Sequence, residues 1–251
     1  MKQSNSNTEF YNKLAAEYDQ MISFEKAVEN KKKMLVTFIA AEMKLTADLG
    51  CGSGVDSIAL SSLGLKVNAF DPSSEMIKTA KENAGREGFN IDFYNYSIGS
   101  IPDEFKNKFD IAISLGNTFA NIPKKKFNIS VKKCFNILKK GGILLIHILN
   151  YEKVIAEKQR IVNLTEGGSN YFIRFYDFIN SEIVFNILSF KKQNPSEHKL
   201  ISTKLFPYNQ SDFRKELKSS GFSAIEFFSD FNLSTFNKEQ SKDLILKAVK
   251  S

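Results

Sequence analysis

The sequence lacks tryptophan and contains only two cysteines, Cys51 and Cys134, which stand at no paired spacing. Two isolated cysteines exclude a disulfide framework or a zinc cluster and are typical of a reducing cytoplasm. No apolar run is long enough to span a bilayer, and residues 1–8 are polar where a secretory signal would be apolar. The sequence therefore predicts a cytoplasmic protein with no metal centre and no membrane partner.

Lysine is abundant instead, and the formal net charge of the chain is +7. A basic balance can indicate nucleic-acid binding. The lysines, however, are scattered or form short runs at residues 31–33 and 124–126 without interleaved aromatic side chains, which is typical of solvated faces. With 251 residues, 42% of them hydrophobic, the chain is long enough for one core with an embellishment. We therefore expect a monomer or a homodimer without a nucleic-acid partner.

Residues 47–56 read A-D-L-G-C-G-S-G-V-D and connect a short apolar run to a helical pattern. The three glycines permit positive φ and let a ligand approach bare backbone, and the first N–H groups of the following helix face the turn. Asp48 would repel a phosphate and suit a cationic amino group. An ordinary strand–helix turn is the alternative, whereas a dinucleotide loop would be spaced G-x-G-x-x-G. The turn predicts a nucleoside ligand with an amine and no phosphate.

The D-x-G-x-G-x-G form of this turn resembles motif I of the class I S-adenosylmethionine (SAM)-dependent methyltransferases. The resemblance implies an α/β fold with a doubly wound, seven-stranded, mostly parallel sheet whose last strand is antiparallel. It implies SAM as the cofactor and S-adenosylhomocysteine as the product. The residues that it places at the cofactor are Asp48, Gly50, Cys51, Gly52, Asp71, Pro72, Met76, Ser97, Ile98, Leu115, Gly116 and Asn117.

Asp71 follows a second apolar run, residues 65–70, about twenty positions beyond the glycines. An acid at this spacing accepts hydrogen bonds from the two ribose hydroxyls in nucleoside-binding βαβ units. The D-P-S sequence could also cap the next helix, and both roles are compatible. Further on, the family's adenine-contacting acid is replaced by Ser97, so that Ser97 and Ile98 are expected at the adenine ring.

The stretch S-L-G-N-T-F-A-N-I, residues 114–122, follows a buried strand at the edge where ligands bind in open α/β sheets. It looks like the G-N-S-F-x-H segment of the glycine/sarcosine N-methyltransferase-like group. Asn121 stands where that group tends to have histidine. A polar loop with an aromatic plug is the alternative. The resemblance implies that residues 115–118 flank the sulfonium and the methyl acceptor.

Two segments are expected to cover the site. Residues 10–21 resemble the Y-x-x-L-A-x-x-Y-D segment that folds over the cofactor in many small-molecule methyltransferases, although a helix that only packs on the core has the same pattern. Residues 161–208 contain about three strand-like runs and are expected to form an inserted antiparallel β lid. We expect a SAM-binding core at residues 1–160 and 209–251, in which residues 1–26 form the N-terminal lid helix.

Four side chains are candidates for catalysis or acceptor binding. Tyr18 could offer its ring or hydroxyl to the sulfonium, and Asn117 lies in the G-N-T-F segment. His147 could be a general base, although a single histidine among apolar residues is usually a core side chain. Arg174, between aromatic residues on one strand face, could cover the surface or could bind a carboxylate with its guanidinium fork.

The sequence thus predicts a SAM-dependent methyltransferase that acts on a small molecule, with an amine nitrogen as the expected methyl acceptor. An RNA or protein methyltransferase is the first alternative, although the N-P-P-[YF] tetrapeptide of base-amino methyltransferases is absent after the fourth strand. A non-catalytic SAM-binding module is the second alternative.

Overall fold

The computed structural model describes residues 7–179 and 182–251 as two β-sheets with helices on both faces of the larger one. The helices are α1 (Asn7–Ile22), α2 (Phe24–Leu35), α3 (Val55–Ser62), α4 (Ser74–Arg86), α5 (Lys124–Ile137), α6 (Tyr151–Glu157) and α7 (Gln210–Ser220). The strands are β1 (Leu45–Leu49), β2 (Lys66–Phe70), β3 (Asp92–Tyr94), β4 (Phe109–Ser114), β5 (Leu138–Leu149), β6 (Ile161–Gly167), β7 (Asn170–Ile179), β8 (Glu182–Lys191), β9 (His198–Leu205), β10 (Phe222–Phe228) and β11 (Asp243–Lys250).

The larger sheet has seven strands in the order β10-β11-β5-β4-β1-β2-β3. Strands β1 to β5 pair in parallel, and β11 is antiparallel to both β5 and β10. The doubly wound fold expected from the sequence is confirmed. From β1 the chain adds β2 and β3 on one side of that strand, and it then crosses to the other side, where β4 pairs with β1. The gap between β1 and β4 is therefore a topological switch point, where ligands bind in such sheets.

The second sheet is antiparallel, in the order β6-β7-β8-β9, and lies in the chain between α6 and α7. It has four strands where the sequence indicated about three, because Ile161–Gly167 pairs with β7 over most of its length. Residues 180–181, between β7 and β8, lie outside the described residues.

Helix α1 lies between the second sheet and α4. Its side chains at helical spacing, Phe10 and Leu14, are fully buried together with Phe172 of β7, Ile187 of β8 and Met76 of α4. Burying an aliphatic or aromatic side chain of this size stabilises a fold by about 1.5–3 kcal/mol. The helix is therefore held on both sides by packing, and its remaining face covers the switch point of the larger sheet.

Candidate functional site

A cavity of about 770 Å³ opens at the switch point, between the glycine turn, the loop after β4 and helix α1. Most of the residues expected at the cofactor line it: Gly50, Cys51, Gly52, Asp71, Pro72, Met76, Ser97, Ile98, Leu115 and Gly116. Asp48 and Asn117 are not among the described residues that line it. The strand ends bring these residues together because consecutive parallel strands end at the same edge of the sheet.

The glycine turn approaches its neighbours too closely for a side chain at its first position. Gly50 has φ +84°, and a Cβ atom there would lie 2.3 Å from Cγ2 of Thr118. Its N–H donates to the carbonyl of Phe70 over 2.7 Å, and the Cys51 N–H donates to the same oxygen over 3.1 Å. These bonds tie the turn to β2, so that bare backbone forms one wall of the cavity.

Asp71 is built into the same wall. Its two carboxylate oxygens accept hydrogen bonds from the N–H groups of Gly52, at 2.9 Å, and Ser73, at 2.8 Å. The helix cap is a different residue, since Ser73 Oγ accepts from the N–H of Met76 over 3.1 Å. Burial raises the pKa of Asp71 to about 6, while the two backbone donors oppose that rise. Asp71 thus faces the cavity with lone pairs to spare for further donors.

Asp48 lies beneath the turn, 1% exposed. Its Oδ2 accepts from the Ser57 hydroxyl over 2.5 Å, but Oδ1 is buried without a hydrogen-bond partner among the described residues. Burial and the neighbouring Asp56 carboxylate raise its pKa above the usual range. Asp56 itself lines the cavity with Lys31, whose Nζ is 2.9 Å away. The bare backbone of the turn suits the amino-acid end of a ligand, and the orphaned Asp48 acceptor lies beneath it.

The opposite end of the cavity is formed by a 3-10 turn, Ile98–Ser100, against α5. The Ser97 and Ser100 hydroxyls lie 2.8 Å apart. The turn packs on α5 at Gly99, where a Cβ atom would be in ordinary van der Waals contact with Ile129 at 3.4 Å. The apolar Ile98 and Ile129 side chains and the serine hydroxyls give this end the mixed character that a flat heteroaromatic ring requires.

Two of the four catalytic candidates, Asn117 and His147, are not among the described residues that line the cavity. Their contacts lie in the loop after β4 and in the neighbouring part of the sheet. Asn117 donates from Nδ2 to the Tyr151 hydroxyl over 2.7 Å and accepts from the Leu149 N–H over 3.1 Å. His147 places Nε2 3.1 Å from Asp243, with its ring beside Phe231. The geometry therefore offers no support for His147 as the general base of this cavity.

Tyr18 does line the cavity, and burial raises its pKa to about 12, so the phenol keeps its proton at neutral pH. Arg174 lies close behind it but is not among the described lining residues. Its Nε donates to Oδ1 of Asn163 over 2.6 Å, because Asn163 is its cross-strand neighbour on β6. Burial lowers the pKa of the Arg174 guanidinium. The guanidinium thus braces the second sheet beside Tyr18 and does not reach into the cavity.

Sequence reasoning missed several lining residues on the side where a methyl acceptor would enter. They are Asn7, Thr8, Tyr11, Asn121, Ile122, Lys126, Lys204 and Phe206. They come from α1, the loop after β4, α5 and the end of β9, four segments far apart in the chain. Asn121, where the resembling group tends to have histidine, and Tyr11, within the segment at residues 10–21 that resembles a cofactor-covering helix, gave a signal in the sequence.

Comparisons with known proteins find methyltransferases. A family profile described as a methyltransferase domain matches residues 47–142. The chain is 23% identical to the glycine/sarcosine N-methyltransferase of Aphanothece halophytica over 89% of this chain and 83% of that protein. It is 28% identical to human glycine N-methyltransferase over 43% of this chain. That match covers only 42% of the length of the human protein.

Solved structures agree in fold. A SAM-dependent methyltransferase from Clostridium acetobutylicum ATCC 824 superposes with a TM-score of 0.75 at 18% identity, covering 96% of this chain and 99% of that one. Among the described residues, no helix is long and apolar enough to cross a membrane.

Proposed function

The chain belongs to the class I SAM-dependent methyltransferases, and from that premise we propose that it transfers a methyl group from SAM to an amine nitrogen of a small molecule. The observation that carries this proposal is the cavity at the switch point. It joins the bare, acidic glycine turn to the space under α1. The relatives named as glycine and glycine/sarcosine N-methyltransferases support an amine as the acceptor.

The residues at the cavity fit the parts of SAM in order along the sheet edge. Gly50, Cys51 and Gly52 would hold the methionine moiety by backbone contacts, with the orphaned Asp48 oxygen near its ammonium group. Asp71 would accept hydrogen bonds from the ribose hydroxyls. Pro72, Met76, Ser97 and Ile98 would enclose the ribose and adenine, and Leu115 and Gly116 would lie at the sulfonium.

Bound SAM supplies an electrophilic methyl group on a sulfonium. The protein's own contribution is to hold the reacting partners in line and to exclude water, which accounts for a large share of the rate enhancement in transfers of this kind. Helix α1 and the second sheet perform that exclusion. Tyr18 lines the cavity, and its pKa of about 12 keeps it neutral, so it would offer its ring or hydroxyl to a sulfonium cation.

Ligand selectivity provides the first test. We expect isothermal titration calorimetry to show binding of SAM and S-adenosylhomocysteine and no binding of NAD, because the turn offers acidic side chains where a pyrophosphate would lie. A radiolabelled methyl-transfer screen of small amines, amino acids and RNA then identifies the acceptor class. Tight NAD binding without a SAM signal would overturn the proposal, and transfer to RNA alone would overturn the small-molecule acceptor.

The raised pKa of Asp71 predicts how the stability of the ligand-free protein depends on pH. The folded state raises this pKa from 3.8 to about 6, so it favours the protonated form. The contribution of Asp71 to the free energy of unfolding should therefore be largest below about pH 4. That free energy should fall by up to about 3 kcal/mol as pH rises from 4 through 6.

Thermal melting between pH 4.5 and 7.5 measures this effect. Asp71→Asn should flatten the decline in melting temperature. Asp103→Asn is the matched control. The Lys133 ammonium, which donates a hydrogen bond to Asp103, lowers the pKa of that exposed carboxyl below its ordinary value of 3.8. Asp103 is therefore largely ionised in both the folded and the unfolded state between pH 4.5 and 7.5, so Asp103→Asn should leave the slope unchanged. Equal slopes for wild type and Asp71→Asn would show that burial of this carboxylate has no cost.

A further inference from the structure

A chain of hydrogen bonds links three separate elements and ends at the cavity. The Thr203 hydroxyl of β9 donates to Oδ1 of Asn7, the first residue of α1. Asn7 Nδ2 donates to the main-chain oxygen of Asn121 over 2.6 Å and to its Oδ1 over 3.2 Å. Asn121 Nδ2 donates to the Tyr11 hydroxyl over 3.2 Å and to the carbonyl of Asn117 over 3.3 Å. Asn7, Asn121 and Tyr11 all line the cavity.

The direction of this chain is fixed by its acceptors. A main-chain carbonyl can only accept, so the amino group of Asn121 must face Asn117, and the same amino group then donates to Tyr11. The amino group of Asn7 is fixed in the same way by the Asn121 carbonyl. Tyr11 therefore uses a lone pair within the chain, and among the described residues none accepts its proton. The proton is free to point into the cavity.

Charged side chains of both signs line the cavity, and the Lys31 ammonium lies beside the Asp56 carboxylate. Its carboxylates, Asp56 and Asp71, belong to the glycine-turn end. Lys204, which follows Thr203 directly and also pairs with Glu182, and Lys126 of α5 line the cavity as well. Burial raises the pKa of Tyr11 far above its ordinary value, so the phenol remains a neutral donor. A neutral donor in a cavity that Lys126 and Lys204 also line suits an oxygen atom that is rich in electrons.

We propose that Tyr11 positions the methyl acceptor by donating its phenolic proton to an oxygen atom of that molecule, and that Asn121, Asn7 and Thr203 hold the phenol in this orientation. The proposal rests on the proposed function and narrows its acceptor to amines that also carry an oxygen acceptor. The two lysines favour an anionic oxygen over a neutral one. Tyr11 is thus a specificity residue, and Thr203 is a positioning residue that acts through Asn7 and Asn121.

The test uses matched probes that differ only in the oxygen-bearing group: glycine, ethanolamine and ethylamine, and phenylalanine, phenylalaninol and phenethylamine. In wild type, kcat/KM for methyl transfer should fall from acid to alcohol to alkylamine. Tyr11→Phe should lower kcat/KM for the acids by about tenfold to a hundredfold, the usual loss for a hydrogen bond to a charged group, and should leave the alkylamines unchanged. SAM affinity by calorimetry should not change.

Further variants separate positioning from general damage. Thr203→Val and Asn121→Ala should shift the acid-to-alkylamine ratio in the same direction as Tyr11→Phe, with the smaller shift for Thr203→Val. Tyr171→Phe, which removes a phenol on β7 that is not among the described lining residues, is the control and should match wild type. If Tyr11→Phe lowers transfer to acids and alkylamines equally, or behaves as Tyr171→Phe does, the proposal is wrong.

Binding of the same probes to the S-adenosylhomocysteine complex keeps the two proposals distinguishable. If wild type binds the acids in a Tyr11-dependent way but transfers no methyl group to any probe, the proposed function fails and the role of Tyr11 holds. If wild type methylates the alkylamines as well as it does the acids, the proposed function holds and the role of Tyr11 fails. Failure of every acid and alcohol to bind also overturns the role of Tyr11.

Discussion

Substitution of Asp71 by alanine is expected to weaken SAM binding by roughly tenfold to a hundredfold. The proposed ribose contacts are hydrogen bonds to a charged acceptor, and each such bond contributes about 1.5–3 kcal/mol. The structure adds a second consequence. Because Asp71 also accepts from the N–H groups of Gly52 and Ser73, the alanine variant leaves both donors without that partner and should lose about 1–3 kcal/mol of folding stability.

A matched variant separates the two effects. Asn209 caps α7, away from the cavity, by accepting from the Asp212 N–H in a capping box. Asn209→Ala should cost about 1 kcal/mol of stability, as cap removals do, and should leave SAM affinity unchanged. Calorimetry at a temperature well below both melting transitions makes the comparison. If both variants lose stability and neither loses affinity, Asp71 supports the turn only and the ribose role is wrong.

The sequence indicated that the glycine turn and Asp71 lie together because its signals there are local. The glycine turn follows β1 directly, Asp71 follows β2 directly, and the two strands are parallel neighbours. Once the sheet was expected, both groups had to meet at one edge. The same locality explains why the seven-stranded fold could be predicted: apolar runs and helical periodicity mark each element without knowledge of its partners.

The hydrogen bonds on the proposed acceptor side could not be predicted, because they join distant segments. Asn7 meets Thr203 across 196 positions and Asn121 across 114. Such pairings depend on the register of the second sheet and on where α1 lies against it, and a shift of one residue would turn every side chain of a strand to the other face. Arg174 shows the limit: its strand face was predicted, but the neighbour on that face, Asn163, was not.

Substitution of Gly50 by alanine should have the largest effect on folding of the variants considered. An L-residue at φ +84° costs about 1–2 kcal/mol. The added Cβ would also lie 2.3 Å from Cγ2 and 2.8 Å from Oγ1 of Thr118, and overpacking of this kind costs about 1–3 kcal/mol more. We expect a total loss of about 2–5 kcal/mol in the free energy of unfolding, and loss of measurable SAM binding as the turn is displaced.

The chain contains a control that shares the strain and lacks the collision. Gly64 has φ +88°, but a Cβ atom there would meet nothing within 4 Å, so Gly64→Ala should lose only the 1–2 kcal/mol that the backbone costs. Thr118→Ala shortens the side chain that collides with residue 50. The double variant Gly50→Ala/Thr118→Ala should therefore recover about 1–3 kcal/mol of the free energy of unfolding relative to the sum of the two single variants.

Equal losses for Gly50→Ala and Gly64→Ala in urea unfolding, without recovery in the double variant, would mean that the turn does not need its close contact with the loop after β4. The wall of the cavity would then be set by backbone conformation alone.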